Sequence, residues 1–319
     1  MASIRGACLL RTGDLDAARQ EHLAALALRE KVADLEGVAK SLLNLGTQAT
    51  MVGTWGPARE YYSRSLALFR TLGDRRHVSM VLANLGSLVL GQGDIELADR
   101  HFREALKMAR AIGDLLGVAG ALANLGEAAL ARDDGVAALD PLDECLGLIA
   151  RTGLNEYACD IHHLRGRALA LCKDVAAARQ ELEQARALAA KVGNEAQSGV
   201  VDTALAELAL GTGDREGARA LAEAAVRTLR AADRRLDLGR ALLVAEVADP
   251  AGGSRLEEAI EIFDGLGARL DLARAQNLRS GAGASGDPAP SATGGPARAD
   301  DSGRSDEVGD RPEGERSLR

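Results

Sequence analysis

Three asparagines recur at a spacing of 40 residues and are the first candidates for chemistry in this sequence. Asn44, Asn84 and Asn124 each open an Asn-Leu-Gly triplet. Asparagine is a weak helix former, yet these three share one register inside segments with a helical pattern of apolar residues. A carboxamide both donates and accepts hydrogen bonds, so a row of three can bind the backbone of an extended peptide. The alternative is that each asparagine bonds a neighbouring helix of the same chain.

Small or polar residues predominate one helical turn away from the asparagines. One turn later these are Thr47, Ser87 and Glu127, and one turn earlier they are Lys40, Met80 and Gly120. The set holds no dense cluster of basic residues that would clamp a terminal carboxylate. It predicts a groove for a mixed polar and apolar peptide or helix, with Thr47, Ser87 and Glu127 contributing specificity and Lys40 on the same surface. The alternative is an ordinary solvated surface.

Cys159 and His163 raise the question of a metal site, because two residues four apart share one face of a helix. Cys172 lies thirteen residues beyond Cys159, roughly 220° farther around the helix, and points elsewhere. Only two ligands converge, whereas zinc needs three or four. We therefore predict no metal and no cofactor. His162 is interpreted as a partly buried residue of an irregular repeat.

No catalytic constellation is present in the sequence. Residues 281–286 match the pattern Gly-x-Gly-x-x-Gly, but a dinucleotide-binding loop requires a strand before it and a helix after it. Here the pattern follows a helical segment and enters a polar tail. The sequence also lacks a Walker-type loop, His-Glu-x-x-His and Gly-x-Ser-x-Gly. We therefore expect the protein not to be an enzyme.

The candidate residues lie inside a repeat of 40 residues that runs from residue 13 to about residue 230. Each unit contains two segments whose apolar residues lie three and four apart, which is the period of an amphipathic helix. Gly-Asp or a similar pair separates the segments. Glycine can end one helix in a left-handed conformation, and aspartate can cap the next. One position is alanine in all six units: Ala18, Ala58, Ala98, Ala138, Ala178 and Ala218.

Small residues predict where the paired helices approach one another. The invariant alanine indicates two closely spaced helix backbones. The matching position on the partner helix is glycine in four units: Gly46, Gly86, Gly126 and Gly166. A glycine inside a helix costs about 1 kcal/mol relative to alanine, so four at one register indicate that packing requires them. Cys145 shares its register with alanines of other units and is expected to fill a small space in the core.

Aromatic residues make up only 2% of the chain, so the core must consist of alanine, leucine, valine and isoleucine. Such a core favours close helix packing. The single tryptophan, Trp55, lies in a turn where other units carry aspartate. Two interpretations are open: a local staple over its own turn, or an exposed contact.

Charge and hydropathy exclude several classes of protein. The net charge is −8 and the pI is about 5.3, which argues against direct nucleic-acid binding. No run of about 18 apolar residues exists, so no membrane span is predicted. The first 14 residues do not resemble a signal peptide. The four cysteines lie far apart without a Cys-x-x-Cys pair, which favours a reducing, cytoplasmic environment.

The repeat carries the residue pattern of a known family. In the third unit its small and large positions are Leu82, Leu85, Gly86, Val89, Ala98, Phe102 and Ala105. On these residues the sequence resembles the tetratricopeptide repeat family over residues 2 to about 279. Its period resembles the long-unit subclass, and its alanine- and arginine-rich style resembles the C-terminal arrays of bacterial transcriptional regulators. The resemblance implies an all-α, right-handed superhelix of about seven helix pairs. It also implies that opening helices line a concave face, where asparagines of related proteins hold ligand backbone.

The two ends of the chain differ from the repeats. We predict a solenoid over residues 1–279 and a disordered tail over residues 280–319, because that tail holds eight glycines, four of the seven prolines and almost no large apolar residues. By register the first helix begins before Met1, so it lacks a cap and a polar outer face. Such a helix can pair with another copy of the chain.

These patterns favour an interaction protein. We expect a non-enzymatic, cytoplasmic scaffold that binds a peptide, helix or partner domain in its concave groove. The alternative is the sensory portion of a bacterial transcriptional regulator or signalling ATPase whose other domains are missing from the sequence. The incomplete first helix and the regulator-like segment 263–275 motivate that alternative.

Overall fold

The predicted helices occupy most of the part of the chain that the structure describes, which is residues 15–250 and 254–280 of a computed structural model. Fourteen α-helices follow one another in these ranges: α1 Leu15–Lys31, α2 Leu35–Met51, α3 Trp55–Leu72, α4 Arg75–Gly91, α5 Ile95–Ile112, α6 Leu115–Ala131, α7 Gly135–Thr152, α8 Ala158–Leu171, α9 Val175–Lys191, α10 Glu195–Gly211, α11 Arg215–Ala231, α12 Arg235–Ala248, α13 Arg255–Leu266 and α14 Arg269–Arg279. A 3-10 turn, Asn155–Tyr157, precedes α8. The described ranges contain no strand, so the predicted all-α fold is confirmed.

The Gly-Asp pairs act as the predicted helix boundaries. Gly73 ends α3 with a left-handed φ of 71°. The Asp74 carboxylate then accepts a hydrogen bond of 3.1 Å from the backbone N–H of His77 and caps α4. Such a cap satisfies one of the backbone donors that a helix N-terminus leaves open. The same side-chain cap occurs at Asp34, Asp94, Asp134, Asp174, Asn194 and Asp214.

The helices stack as six complete pairs, α2–α3 to α12–α13, and α1 and α14 are single helices at the two ends of the described residues. By register, the partner of α1 falls within residues 1–14, which lie outside the description. The opening helices are α2, α4, α6, α8, α10 and α12. Each of the first five also contacts the opening helix of the next pair, whereas closing helices make fewer contacts of this kind. The opening helices therefore lie on the inner, more tightly curved side.

Each glycine of the Asn-Leu-Gly register receives a large side chain from its paired helix. A Cβ atom added at Gly46, Gly86, Gly126 or Gly166 would lie less than 3.0 Å from Tyr62, Phe102, Leu142 or Leu182, respectively. These four side chains are at most 2% exposed. Small residues do mark the helix contact, but the glycine faces the side chain four residues after the alanine rather than a matching backbone. Only Gly166 also faces a backbone atom of its partner helix, the carbonyl oxygen of Ala178.

The fifth pair exchanges the sizes of these two positions. Ala206 stands where the four preceding opening helices carry glycine, and Ala222 stands where the four preceding closing helices carry the large side chain. Both alanines are fully buried. A methyl group added on one side is thus matched by the loss of a large side chain on the other, which keeps the pair at interior packing density.

In each of the first four pairs, one hydroxyl or thiol group also donates a hydrogen bond to a backbone carbonyl of the paired helix. Ser65 Oγ donates to the carbonyl of Ala39 at 2.8 Å, and Ser79 Oγ donates to the carbonyl of Ala105 at 2.9 Å. Cys145 and Cys159 make the corresponding weak bonds to the carbonyls of Ala119 and Ala185. Burial raises the pKa of both thiols to about 11. The prediction that Cys145 fills a small space in the core is confirmed.

The irregular fourth unit replaces an apolar contact with a cluster of charges. Arg165 stands where earlier units carry a packed leucine. Its Nε atom donates to Asp143 of α7 at 2.7 Å, and its Nη1 atom donates to Glu181 of α9. His162 Nδ1 lies 2.6 Å from the other oxygen of Glu181, and 14% of the His162 side chain is exposed. The expectation of a partly buried His162 is confirmed, and the cluster explains how the repeat accepts two polar residues.

Trp55 contradicts both interpretations of the sequence. It is half-buried, and its indole Nε1 donates to the carbonyl of Leu266 at the end of α13, 211 residues farther along the chain. Its ring packs on Gly91 and Gly267. The residue is thus neither a staple over its own turn nor an exposed contact. Periodicity within a repeat carries no information about such a long-range contact.

Some predictions concern residues outside the description. These are the first helix in residues 1–14, the loop residues 251–253, the glycine pattern at 281–286 and the disordered tail beyond Ser280. Within the described ranges, none of the helices is long and apolar enough to cross a membrane.

The glycine contacts predict opposite effects for two glycine-to-alanine substitutions. Gly86→Ala should destabilise the protein by about 1–3 kcal/mol, because its Cβ would overlap the fully buried Phe102 ring. Gly147→Ala, inside α7, meets only the flexible end of Arg151 and should stabilise by up to about 1 kcal/mol through helix propensity. Urea unfolding of both variants measures the difference, and an equal gain from both would contradict the packing role.

Candidate functional site

The Asn-Leu-Gly triplet places each asparagine away from the contact within its own helix pair. Two residues span about 200° around an α-helix. Because Gly86 faces α5, Asn84 is turned to the other side of α4, and the same holds for the triplets on α2 and α6. These three helices are successive opening helices in mutual contact. The structure therefore brings Asn44, Asn84 and Asn124 onto one continuous inner surface.

The three carboxamides are half-buried and have no hydrogen-bond partner among the described residues. The alternative that each asparagine bonds a neighbouring helix therefore receives no support from the contacts. A partly desolvated amide without a protein partner is costly unless water or a ligand satisfies it. The arrangement leaves three donor and acceptor groups open to the inner surface.

The other predicted groove residues differ in whether their polar groups already form ion pairs or hydrogen bonds within the chain. Lys40 pairs with Glu36 at 2.5 Å on the same helix. Thr47 Oγ1 donates to the carbonyl of Leu43 at 3.1 Å and accepts from the Tyr62 hydroxyl at 3.3 Å. Ser87 is exposed one turn beyond Asn84, and Glu127 is half-buried one turn beyond Asn124.

Farther along the array the inner surface becomes charged, and the sequence analysis did not identify this part. Arg167 and Glu207 continue the register of Thr47, and Arg240 continues the register of Lys40. The 40-residue spacing was the signal that could have found them. At the register of the asparagines, in contrast, α8, α10 and α12 carry the apolar residues Leu164, Ala204 and Val244.

Arg240 forms a bidentate ion pair at this surface. Its Nε and Nη2 atoms each lie 3.0 Å from one carboxylate oxygen of Asp271 on α14, and the Asp271 side chain is 9% exposed. Burial alone would lower the pKa of Arg240, but the charges of Asp271, Glu127 and Asp237 raise it above the usual range.

A cavity of about 430 Å³ lies between α6, α8, α10 and α14. Its apolar wall includes Leu130, Leu171 and Leu208, and its charged groups include Arg167, Glu207 and Arg274. Its volume is within the range of ligand-binding cavities. The cavity lies farther along the inner surface, because Ala204 at the register of the asparagines and Arg167 and Glu207 at the register of Thr47 line it.

The structure does not assemble a metal site from Cys159 and His163. The Cys159 thiol donates to the carbonyl of Ala185 at 3.2 Å, and Cys172 is exposed. Within the described ranges, no three histidine, cysteine, aspartate or glutamate side chains are grouped so that they could hold a metal ion.

Comparison with known proteins agrees with the repeat analysis. Residues 1–71 and 49–111 match the family model of the tetratricopeptide repeat. A comparison with curated proteins finds no match.

Several solved structures have the same fold. The apo form of RapI has a TM-score of 0.67 and 14% sequence identity, with 86% of this chain and 98% of that chain covered. A Rap protein complexed with competence and sporulation factor has a TM-score of 0.64 at 13% identity, covering 88% and 82%. A signal transduction ATPase with a tetratricopeptide repeat sensor, from Pyrococcus horikoshii, has a TM-score of 0.60 at 13% identity, covering 89% and 43%.

The buried histidine of the inner surface predicts a pH dependence. Burial and the charges of Arg167 and Arg240 lower the pKa of His163 to about 3. The unfolded chain, with a pKa near 6.5 for this group, binds the extra proton first. The free energy of unfolding should therefore fall by up to about 1.4 kcal/mol per pH unit as pH decreases from 6.5 towards 3.

Replacing the histidine isolates this contribution. His163→Gln should have a shallower pH dependence than the parent protein between pH 6.5 and 4, measured by urea unfolding. All other titrating groups are common to the two proteins and cancel in the difference. Parallel curves for parent and variant would show that His163 is not a neutral buried group.

Proposed function

We propose that this chain is a non-enzymatic interaction protein of the tetratricopeptide repeat type. Residues 1–71 and 49–111 match that family model, and helix pairs of the same kind continue to α13. The protein binds a peptide, a helix or a partner domain on the inner surface formed by its opening helices. The observation that carries the proposal is the row of three half-buried carboxamides without protein partners.

The spacing of the carboxamides suits an extended backbone. Packed helices lie about 8–10 Å apart, and an extended peptide advances about 3.3 Å per residue. An extended segment crossing α2, α4 and α6 would therefore meet one asparagine at roughly every third residue. Each carboxamide would accept from a ligand N–H and donate to a ligand carbonyl. Ser87 and Glu127, one turn beyond two of the asparagines, would contribute specificity.

Other features of the chain support the same class of function. One Rap protein of the same fold is complexed with competence and sporulation factor. The fold likeness supports a regulatory or binding role and leaves the identity of the partner to experiment. The scattered cysteines support a reducing, cytoplasmic environment for the proposed activity.

Removal of the three carboxamides tests the proposal. The Asn44/Asn84/Asn124→Ala variant of the full chain should retain its helical circular dichroism and lose its cytoplasmic partner in affinity capture. The three carboxamides form six neutral hydrogen bonds with the ligand in this arrangement. At no less than about 0.5 kcal/mol for each bond, the affinity for the captured partner should fall by at least about 100-fold.

The matched control removes two carboxamides from the outside of the array. Gln180 and Gln184 are exposed on the closing helix α9, and their double substitution by alanine should leave capture unchanged. A folded triple asparagine variant that binds the partner as tightly as the parent would reject the proposed site.

A second candidate function is the sensory part of a larger bacterial regulator or signalling ATPase. The likeness to the Pyrococcus ATPase favours it, since this chain spans 43% of that chain, which includes a tetratricopeptide repeat sensor. The genomic sequence upstream of Met1 tests it. An in-frame nucleotide-binding or helix-turn-helix domain would support it, and a nearby stop codon without an adjacent regulator gene would reject it.

A further inference from the structure

The C-terminal end of the array lies against the turns of the first three complete pairs. Trp55 bonds Leu266 and packs on Gly267, and Gly53 lies against the backbone of Leu266. One and two repeats later, Gly93 faces Leu270, and Asp133 pairs with Arg274 at 3.6 Å. We call this contact the seam, with Gly53, Trp55, Gly93 and Asp133 on one side and Leu266, Leu270 and Arg274 on the other.

The seam explains why residue 53 is a glycine. Gly53 has a positive φ of 75°, but conformation alone does not require glycine, because Asp133 and Lys173 adopt φ values of 56° and 64° at the equivalent turns. A Cβ atom at Gly53 would lie 3.2 Å from Leu266 Cα and 3.3 Å from the carbonyl oxygen of Gly265. At Gly213, with a φ of 85°, nothing lies within 4 Å. The backbone of the seam therefore disfavours a side chain at position 53, in addition to the positive φ of the turn.

The two sides of α14 are held unequally. Towards α12, Asp271 forms the bidentate pair with Arg240, and Ala275 is fully buried. Towards the first repeats, the ion pair between Arg274 and Asp133 is long, and its side chains are 50% and 74% exposed. Exposed pairs of this kind contribute little to stability. A separation of helices at α14 would therefore break the contacts of the seam, and the contacts between α14 and α12 would remain.

A separation of the seam would change the wall of the cavity. Arg274 of α14 and Asp133 of the N-terminal side both line it, together with residues of α6, α8 and α10. The seam pair is therefore also part of the cavity wall. The cavity is already open to solvent on one side, because Leu171 and Val175 of its wall are exposed. When Arg274 and Asp133 separate, the cavity loses that part of its wall and its entrance widens.

We propose that the seam is a built-in opening of the array: α13 and α14 close against the first repeats in one state and move away from them as a unit in the other, which widens the entrance to the cavity. The idea that a bound partner uses this opening rests on the proposed function. The movement of α13 and α14 itself does not depend on it.

Trp55 is the single tryptophan of the chain, so its fluorescence reports the seam directly. Leu270→Glu places a charge against Gly93 and should open the seam in the full-length protein. The emission of Trp55 should then shift to longer wavelength, and its quenching by acrylamide should increase, while far-ultraviolet circular dichroism stays unchanged. Gln276→Glu adds the same charge at an exposed position of α14 and should change neither signal.

A second pair of variants acts from the other side of the contact. Gly53→Asn and Gly213→Asn impose the same residue on the same left-handed conformation, but only Gly53 faces the backbone of Leu266. Gly53→Asn should reproduce the fluorescence change of Leu270→Glu and increase the radius of gyration in solution scattering. Gly213→Asn should match the parent protein in both measurements.

Two results would overturn the proposal. One is an unchanged emission and quenching of Trp55 in both Leu270→Glu and Gly53→Asn. The other is a loss of the helical circular dichroism signal in these variants, because the fold would then require the seam contact and the seam could not open in the folded protein. Neither measurement uses a partner, so failure here leaves the asparagine site untouched, and failure of partner capture leaves the seam untouched.

Discussion

The architecture depends on the absence of a side chain at one position of each of four opening helices. A tyrosine, a phenylalanine or a leucine from the closing helix occupies that space, and the buried alanine one turn earlier lets the two helices approach. This contact sets the rotation of the opening helix about its axis. Since the first four helix pairs have the same contact, they stack in the same way, and the solenoid is stabilised mainly by contacts between neighbours.

The same constraint creates the candidate site. Once Gly86 is fixed against Phe102, the residue two positions earlier must face away from the pair, and the opening helices form the inner side of the array. Asparagine at that position costs helix propensity and makes no compensating hydrogen bond among the described residues. The proposed binding function would account for that cost. Beyond α6 the inner surface changes character, from carboxamides to the charges of Arg167, Glu207 and Arg240.

Local and periodic features could be predicted from the sequence, and long-range features could not. The 40-residue period, the caps at Asp74 and its equivalents, and the packing role of Gly86 follow from the spacing of a few residue types. The contact of Trp55 with Leu266 depends on how far the array turns over five repeats, which no single repeat encodes. The pairing of Arg240 with Asp271 joins two units whose period has loosened. The cluster around Arg165 required knowing which side chains of two other helices reach the same point.

The central claim is that the three asparagines hold the backbone of a bound partner. Its most direct test is the side-chain amide resonances of Asn44, Asn84 and Asn124, followed by nuclear magnetic resonance while the captured partner is added. The account predicts that these three resonances shift together, with those of the exposed Gln180 and Gln184 unchanged. Binding that moves other resonances and leaves all three asparagine amides in place would contradict it.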